Sequence, residues 1–134
     1  SASGAGIGIG EIRTSSDITA GYSDIRLKEN ISVISNALDK LNKISGVYYT
    51  QNKFAEQFGY NDYSRQVGVI AQEIQSILPE VVKIAPFDYG DLGISKSGEN
   101  YLTVQYEKII PLLIQGIKER QSQIEYLQEK ILKH

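Results

Sequence analysis

The strongest pattern of apolar and polar positions lies near the end of the chain, in residues 107–134. Isoleucine recurs there every seven residues, and leucine follows two of these isoleucines by three residues. Arg120 takes the place of leucine in the second repeat, while Glu, Gln and Lys fill the outer positions. This spacing predicts one long helix. Pro111 is tolerated in its first turn, where a backbone N–H has no intrahelical acceptor.

Repeating isoleucine and leucine with this spacing is typical of a parallel coiled coil of two or three strands. We call the apolar stripe the seam; its members are Ile110, Leu113, Ile117, Ile124, Leu127 and Ile131. Because so few repeats make a short coiled coil, the other interpretation is a single amphipathic helix packed on its own domain. We favour self-association through the seam.

Residues 23–106 predict a small α+β body. Helical spacing predicts a first helix with Asn30 as its N-cap and Ser45–Gly46 at its end. Its apolar positions are Ile31, Ile34, Leu38, Leu41 and Ile44. A second helix is predicted from Ala71 to Leu78, where Pro79 stops it. Strands are predicted at 47–50, 66–70, 81–84 and 101–106. We expect a small antiparallel or mixed sheet with helices on one side.

Residues 1–22 form a third segment, rich in glycine and other small residues. Ile7 and Ile9 alternate with glycines, a period-2 pattern that predicts an extended arm, such as the end of a fibrous stalk. The glycines do not predict a phosphate loop, because no Gly-Lys-Ser or Gly-Lys-Thr closes the run. The expected organisation is therefore an arm at 1–22, a body at 23–106 and an association helix at 107–134.

Composition excludes several classes of site. The 134 residues carry a net charge of −2, so we expect no nucleic-acid partner. With no Cys and a single His, His134, we expect no metal, no cofactor and no Ser-His-Asp triad. No apolar run is long enough to cross a bilayer, so no membrane partner is expected. The absence of Met predicts a piece of a longer chain.

The remaining candidate for chemistry is a serine activated by a lysine. Ser23 and Lys28 lie in the run Ser-Asp-Ile-Arg-Leu-Lys, where the arm meets the body. A separation of five residues places them on opposite faces of a strand, and about 140° apart on a helix. They can therefore pair only across an intervening turn, or with the lysine supplied by a neighbouring subunit.

A lysine acting as a base must be neutral, although its ordinary pKa is near 10.4. Burial without a counter-ion lowers a lysine pKa, and an assembling interface is one way to supply that burial. Taken alone, these residue types favour a plainer interpretation, in which Ser23 or Asp24 caps a turn beside solvated basic residues.

Three runs together resemble a known family. They are Ser23-Asp24-Ile25-Arg26-Leu27-Lys28-Glu29-Asn30-Ile31, Val67-Gly68-Val69-Ile70-Ala71-Gln72-Glu73-Ile74-Gln75 with Leu78-Pro79-Glu80-Val81-Val82, and Tyr106-Glu107-Lys108-Ile109-Ile110-Pro111-Leu112-Leu113-Ile114. This succession resembles the C-terminal intramolecular chaperone domain of phage tail spikes, tail fibres, neck appendages and endosialidases, which also occurs in myelin regulatory factor. The resemblance covers residues 23–133.

The resemblance implies a homotrimer that aligns three chains of a parent fibre lying N-terminal to residue 1, and then cuts itself off. Carried onto this sequence, Ser23 is the nucleophile, Lys28 the general base, and Tyr22–Ser23 the scissile bond. It implies a virion precursor made in the host cytoplasm and a domain released after cleavage. Gln72 and Glu73 either orient the site or form the capped start of a helix.

Two other functions remain open. A non-cleaving trimeric fibre tip would bind a host receptor, with the loop aromatics Tyr60, Tyr63, Phe87 and Tyr89 as contacts; the plainer interpretation of those aromatics is loop packing. A DNA-bound regulator of the myelin-factor type would need its DNA contact upstream, because residues 1–134 hold no basic reading element.

Overall fold

A computed structural model describes residues 11–133. The extended arm was predicted from the alternation of isoleucine and glycine at residues 6–10, and these residues lie outside the described part of the chain. Residues 11–22 contain no helix or strand, and every one of them is exposed. The described part of the arm therefore makes no packed contact with the body.

Three α-helices form within residues 11–133: α1 (Ala37–Leu41), α2 (Ala71–Ile77) and α3 (Ile110–Leu132). Pro79 follows α2 and opens a 3-10 turn, and Pro111 lies in the first turn of α3. Both prolines occupy positions that need no backbone donor, so the predicted second helix and long C-terminal helix are confirmed. A 3-10 turn at Tyr106–Ile109 leads directly into α3.

The strands are short and form two separate sheets. In the first, β1 (Val47–Tyr49) pairs antiparallel with β2 (Gln66–Gly68). In the second, β3 (Val82–Ile84) pairs antiparallel with β4 (Leu102–Val104). The α+β class is confirmed, but the expectation of one sheet is wrong. Each strand has three residues and one partner, so helices and 3-10 turns, rather than a continuous ladder, join the two pairs.

The first predicted helix begins later than expected. Asn30 is not its N-cap, because Asn30 and Asn36 both have left-handed backbones, with φ of 54° and 53°. The residues between them form no helix or strand, and Ile31 and Val33 are 64% and 73% exposed. β-Branched residues with no surface to pack against do not favour helix, so only Ala37–Leu41 is helical.

The core has two clusters that meet on α2. The first consists of Ile74, Val81, Val104 and Ile109. The second consists of Ala37, Ile77 and Leu112. Ile44 and Leu78 pack against both. Helix α3 enters this core through Leu112, which is fully buried, so its first turns are anchored to the body.

Helix α1 lies close against α3, and two residues of α3 account for this. A Cβ on Gly116 would lie 2.4 Å from Leu41 Cδ1, so the close approach depends on glycine. The Glu119 carboxylate accepts hydrogen bonds from the backbone N–H groups of Ala37 at 2.6 Å and Leu38 at 3.3 Å. The side chain of Asn36 makes no cap. Glu119 therefore supplies the N-terminal cap of α1 from another helix.

Candidate active site and association surface

Ser23 and Lys28 contact each other within one chain. The Lys28 Nζ donates a hydrogen bond to the Ser23 Oγ at 3.2 Å. A 3-10 turn at Ile25–Leu27 lies between them, held by hydrogen bonds from Leu27 N to Asp24 O and from Lys28 N to Ile25 O, both 3.1 Å. An intervening turn is one of the two arrangements that the spacing left open. An amine in contact with a hydroxyl is the arrangement that proton transfer from a serine needs.

Asp24 and Arg26 form an ion pair inside this turn. The Asp24 Oδ1 accepts a hydrogen bond from the Arg26 backbone N–H at 2.9 Å, and Arg26 Nη2 lies 2.8 Å from Asp24 Oδ2. Hydrogen bonds from the Arg26 side chain, and then from its backbone N–H, lower the pKa of Asp24. The carboxylate is therefore ionised at neutral pH and fully engaged with Arg26.

This candidate site is open in the single chain. Every residue from 21 to 30 is exposed, and the apolar side chains of Tyr22, Ile25 and Leu27 are 63–73% exposed. Nothing within residues 11–133 shields the contact between Ser23 and Lys28 from water. Among the described residues, no apolar side chain covers the site.

The seam is also exposed along its whole length. Its six side chains have exposed fractions between 43% for Ile124 and 74% for Ile131. On α3 the buried positions are Leu112 and Gly116, and Glu119 is half-buried. At 100° per residue, the seam is centred about 100° around the helix axis from this body-facing side. One face of α3 holds the body while a different, apolar face remains unpartnered within residues 11–133.

Glu73 has a structural contact that the sequence did not predict. Its carboxylate accepts a hydrogen bond from the backbone N–H of Ser45 at 3.0 Å, which ties α2 to the segment before β1. Gln72 is exposed at the start of α2. The contact of Glu73 supports a structural role rather than one in orienting Ser23.

Two of the four loop aromatics belong to a packed cluster. The ring of Phe87 stacks on Phe58 with centroids 4.5 Å apart, and Tyr60 and Tyr101 meet Phe87 at 5.7 Å and 5.8 Å. Loop packing is therefore confirmed for Tyr60 and Phe87. Tyr63 donates a hydrogen bond to Glu56, and Tyr89 is 59% exposed.

Asp88, which sequence reasoning did not single out, is the buried acid among residues 11–133, with 1% of its surface exposed. Its carboxylate accepts hydrogen bonds from Ser95 Oγ at 2.6 Å, Ser97 N at 2.8 Å and Tyr101 N at 3.1 Å. Burial raises the pKa of Asp88, but these hydrogen bonds outweigh it and lower the pKa from 3.8 to about 2. Asp88 therefore organises the loop that precedes β4. Its signal was an Asp in a turn-rich run that also holds Asp91, Gly and Ser, which is common in ordinary loops.

We expect the loop to lose stability in acid and to depend on the charge of Asp88. Since the folded-state pKa lies below the ordinary value, the stabilisation is present above about pH 4 and is lost as the pH falls towards 2. In Asp88→Asn, an amide N–H replaces one acceptor and faces a backbone donor, so the midpoint of thermal unfolding at pH 7 should fall by about 4 °C or more.

Thermal unfolding followed by circular dichroism from pH 7 to pH 2 measures both effects. Asp91→Asn is the matched control, because Asp91 is an exposed acid of the same loop. Equal melting curves for the wild type and Asp88→Asn at every pH would show that the buried carboxylate does not hold the loop.

A match to a known protein family begins at the Ser23 turn. Residues 23–83 match the model of the family described as chaperone of endosialidase, whose family name also designates a peptidase. The match begins at Ser23 and includes the turn, α1, α2 and both β1 and β2. Residues 23–83 therefore match a chaperone-of-endosialidase domain, and the resemblance drawn from the motifs is confirmed.

The similar curated proteins are long tail fibre proteins of phages. The chain is 34% identical to Gp37 of Enterobacteria phage K3 over 110 residues, which cover 82% of the chain and 8% of that protein. It is 34% identical to Gp37 of Enterobacteria phage T2 over 82% of the chain and 7% of that protein. For Gp37 of Salmonella phage S16, the identity is 30% over 80% of the chain and 14% of that protein.

The chain thus spans a small part of the length of these relatives. Together, the family match and the tail fibre relatives support a role as a chaperone of a phage tail fibre. Within residues 11–133, no helix has the length and apolar content needed to cross a membrane.

Proposed function

We propose that this chain trimerises through the seam, holds three tail-fibre chains in register, and then cuts itself off between Tyr22 and Ser23. The observation that carries the cleavage step is the contact of Lys28 Nζ with Ser23 Oγ, 3.2 Å apart, at the start of the family match. The observation that supports association is the exposed seam on a helix that is anchored to the body through a different face.

The chemistry follows from the place of Ser23 directly after the scissile bond. Neutral Lys28 takes the hydroxyl proton while the Ser23 Oγ attacks the carbonyl carbon of Tyr22. The new C–O bond forms, the C–N bond to Ser23 breaks, and the released nitrogen gains a proton. Water then hydrolyses the ester, which leaves a carboxylate on Tyr22 and restores the serine hydroxyl. The contact within one chain favours cleavage in cis over attack from a neighbouring subunit.

Association would also supply what the single chain lacks. A lysine base must be neutral, and burial away from counter-ions is what lowers a lysine pKa. Because Lys28 and the flanking apolar side chains are exposed in the single chain, a trimer that covers this turn would activate it. Cleavage would then follow association, so chains would not separate before they are aligned.

A fibre gains from this order of events. Intertwined stalks are built from contacts between chains, so alignment has a large entropic penalty before any contact forms. If the seam helices associate first, they hold the three stalk segments close together, which raises the effective concentration of each segment around the others. Once the chaperone is removed, an unfolded stalk has no domain to align its chains again, so it cannot refold. The stability of the stalk then depends on how slowly it unfolds.

Intact-mass spectrometry of the purified chain tests the cleavage step. We expect a fragment that begins at Ser23 and a second fragment that ends at Tyr22. A chain that stays whole after prolonged incubation would contradict autoproteolysis and favour the non-cleaving fibre-tip domain.

A further inference from the structure

We infer that Asp24 is a positioning residue, which sets the distance between Ser23 and Lys28 by capping the turn between them. This inference rests on the proposed cleavage, and it assigns to Asp24 no contact with the reacting atoms. The turn has three residues, Ile25–Leu27, none of them buried. No core packing holds it, so its hydrogen bonds alone determine its shape.

Asp24 makes two of those hydrogen bonds. Its carboxylate Oδ1 accepts from the Arg26 N–H at 2.9 Å, and its backbone carbonyl accepts from the Leu27 N–H at 3.1 Å. With φ of −68° and ψ of 129°, Asp24 has the extended backbone typical of a capping residue. The chain therefore reverses after Asp24, and Lys28 returns to the side of Ser23. Without the cap, an exposed turn this short gives no fixed distance between the amine and the hydroxyl.

Arg26 has a second effect on the same carboxylate. Its Nε lies 3.1 Å and 3.2 Å from the two oxygens of Asp24, and its Nη2 lies 2.8 Å from Oδ2. In this bidentate ion pair, the guanidinium of Arg26 neutralises the negative charge of Asp24. A carboxylate that paired with Lys28 instead would favour the protonated amine, which cannot act as a base. The pairing of Asp24 with Arg26 leaves Lys28 to contact Ser23.

The cap and the charge can be separated by two substitutions. Asp24→Asn keeps an oxygen that accepts the Arg26 N–H, and asparagine caps as well as aspartate. Asp24→Ala removes the acceptor. Because a misplacement of about 1 Å in a reacting pair slows a reaction about 100-fold, we expect Asp24→Ala to cleave ~10- to 100-fold more slowly. Asp24→Asn should remain within about threefold of the wild type.

The experiment is a time course of the chain 1–134 after cell-free synthesis, with the appearance of the fragment 23–134 followed by intact mass. Asp17→Ala is the matched control, because Ser16-Asp17 repeats the Ser-Asp pair but is followed by Thr19 and Gly21 instead of Arg and Lys. Light scattering and circular dichroism of each product check that association and fold are unchanged.

Each outcome decides the inference. A slow Asp24→Ala, with Asp24→Asn and Asp17→Ala near the wild-type rate, supports the capping role. Wild-type rates for Asp24→Ala overturn it while leaving the proposed cleavage intact. Equal slowing of Asp24→Asn and Asp24→Ala also overturns it, because the charge and not the cap would then be needed. An uncleaved wild-type chain overturns the proposed cleavage and this inference with it.

Discussion

Replacing Ile117 and Ile124 together by aspartate should give a folded single chain that cuts itself far more slowly. Both side chains are exposed in the single chain, at 71% and 43%, and neither belongs to the two core clusters. The body should therefore fold as before. In a trimer, however, six isoleucines would be lost from the interface, each worth about 1.5–3 kcal/mol of burial. Six carboxylates would face one another in their place, and removing these charged groups from water is costly.

Light scattering and intact mass measure the two consequences on the same sample. We expect the mass of one chain and at least a 100-fold slower release of the fragment 23–134, because the turn at Ser23 would stay uncovered. Lys118→Asp is the matched control, since it changes the net charge by the same −2 at an exposed position of α3 outside the seam. Efficient cleavage by the monomeric double variant would contradict the coupling of cleavage to association.

The second large effect concerns the reacting pair itself. Ser23→Ala removes the nucleophile and should abolish the fragment that begins at residue 23. Lys28→Ala removes the group that accepts the hydroxyl proton, and general-base catalysis is worth about 10²–10⁴-fold. Because both side chains are exposed and lie outside the core, neither substitution should alter the melting of the body.

The same mass measurement, repeated over hours, tests this prediction. Ser16→Ala and Lys43→Ala serve as matched controls, because both residues are exposed and neither takes part in the Ser23 turn. A chain that cleaves at Tyr22–Ser23 despite Ser23→Ala would show that a contaminating protease, and not this hydroxyl, makes the cut.

The sequence predicted structure correctly where the local signals along a continuous run of residues agreed with one another. Helix α3 was predictable because its apolar spacing, its proline and its polar outer face agree over many residues. Helix α2 was bounded correctly because Pro79 stops it, whatever the tertiary context. The exposed seam was predictable for the same reason, since its spacing differs from that of the residues that face the body.

Prediction was wrong where distant residues decide local structure. Helix α1 begins only at Ala37, where its first turn is capped by Glu119, which lies more than 80 positions away along the chain. The spacing of Ile31 and Ile34 could not reveal that Asn36 would take a left-handed backbone. Likewise, the importance of Asp88 depends on donors from Ser95, Ser97 and Tyr101, which converge only in the fold.

The candidate site was partly predictable. The residue types and the resemblance singled out Ser23 and Lys28, and their spacing required a turn or a second chain. The structure shows the turn, which depends on the carboxylate of Asp24 and the backbone of Arg26 rather than on spacing. The walls of the site stay a prediction, since they would come from neighbouring copies.

The most direct test of the account is the mass in solution of the Ser23→Ala chain, which keeps residues 1–134 uncut. Multi-angle light scattering coupled to size-exclusion chromatography should give three times the 14.9 kDa of one chain, and the value should hold on dilution. A mass of 14.9 kDa at every concentration would contradict association through the seam, and with it the alignment of three fibre chains.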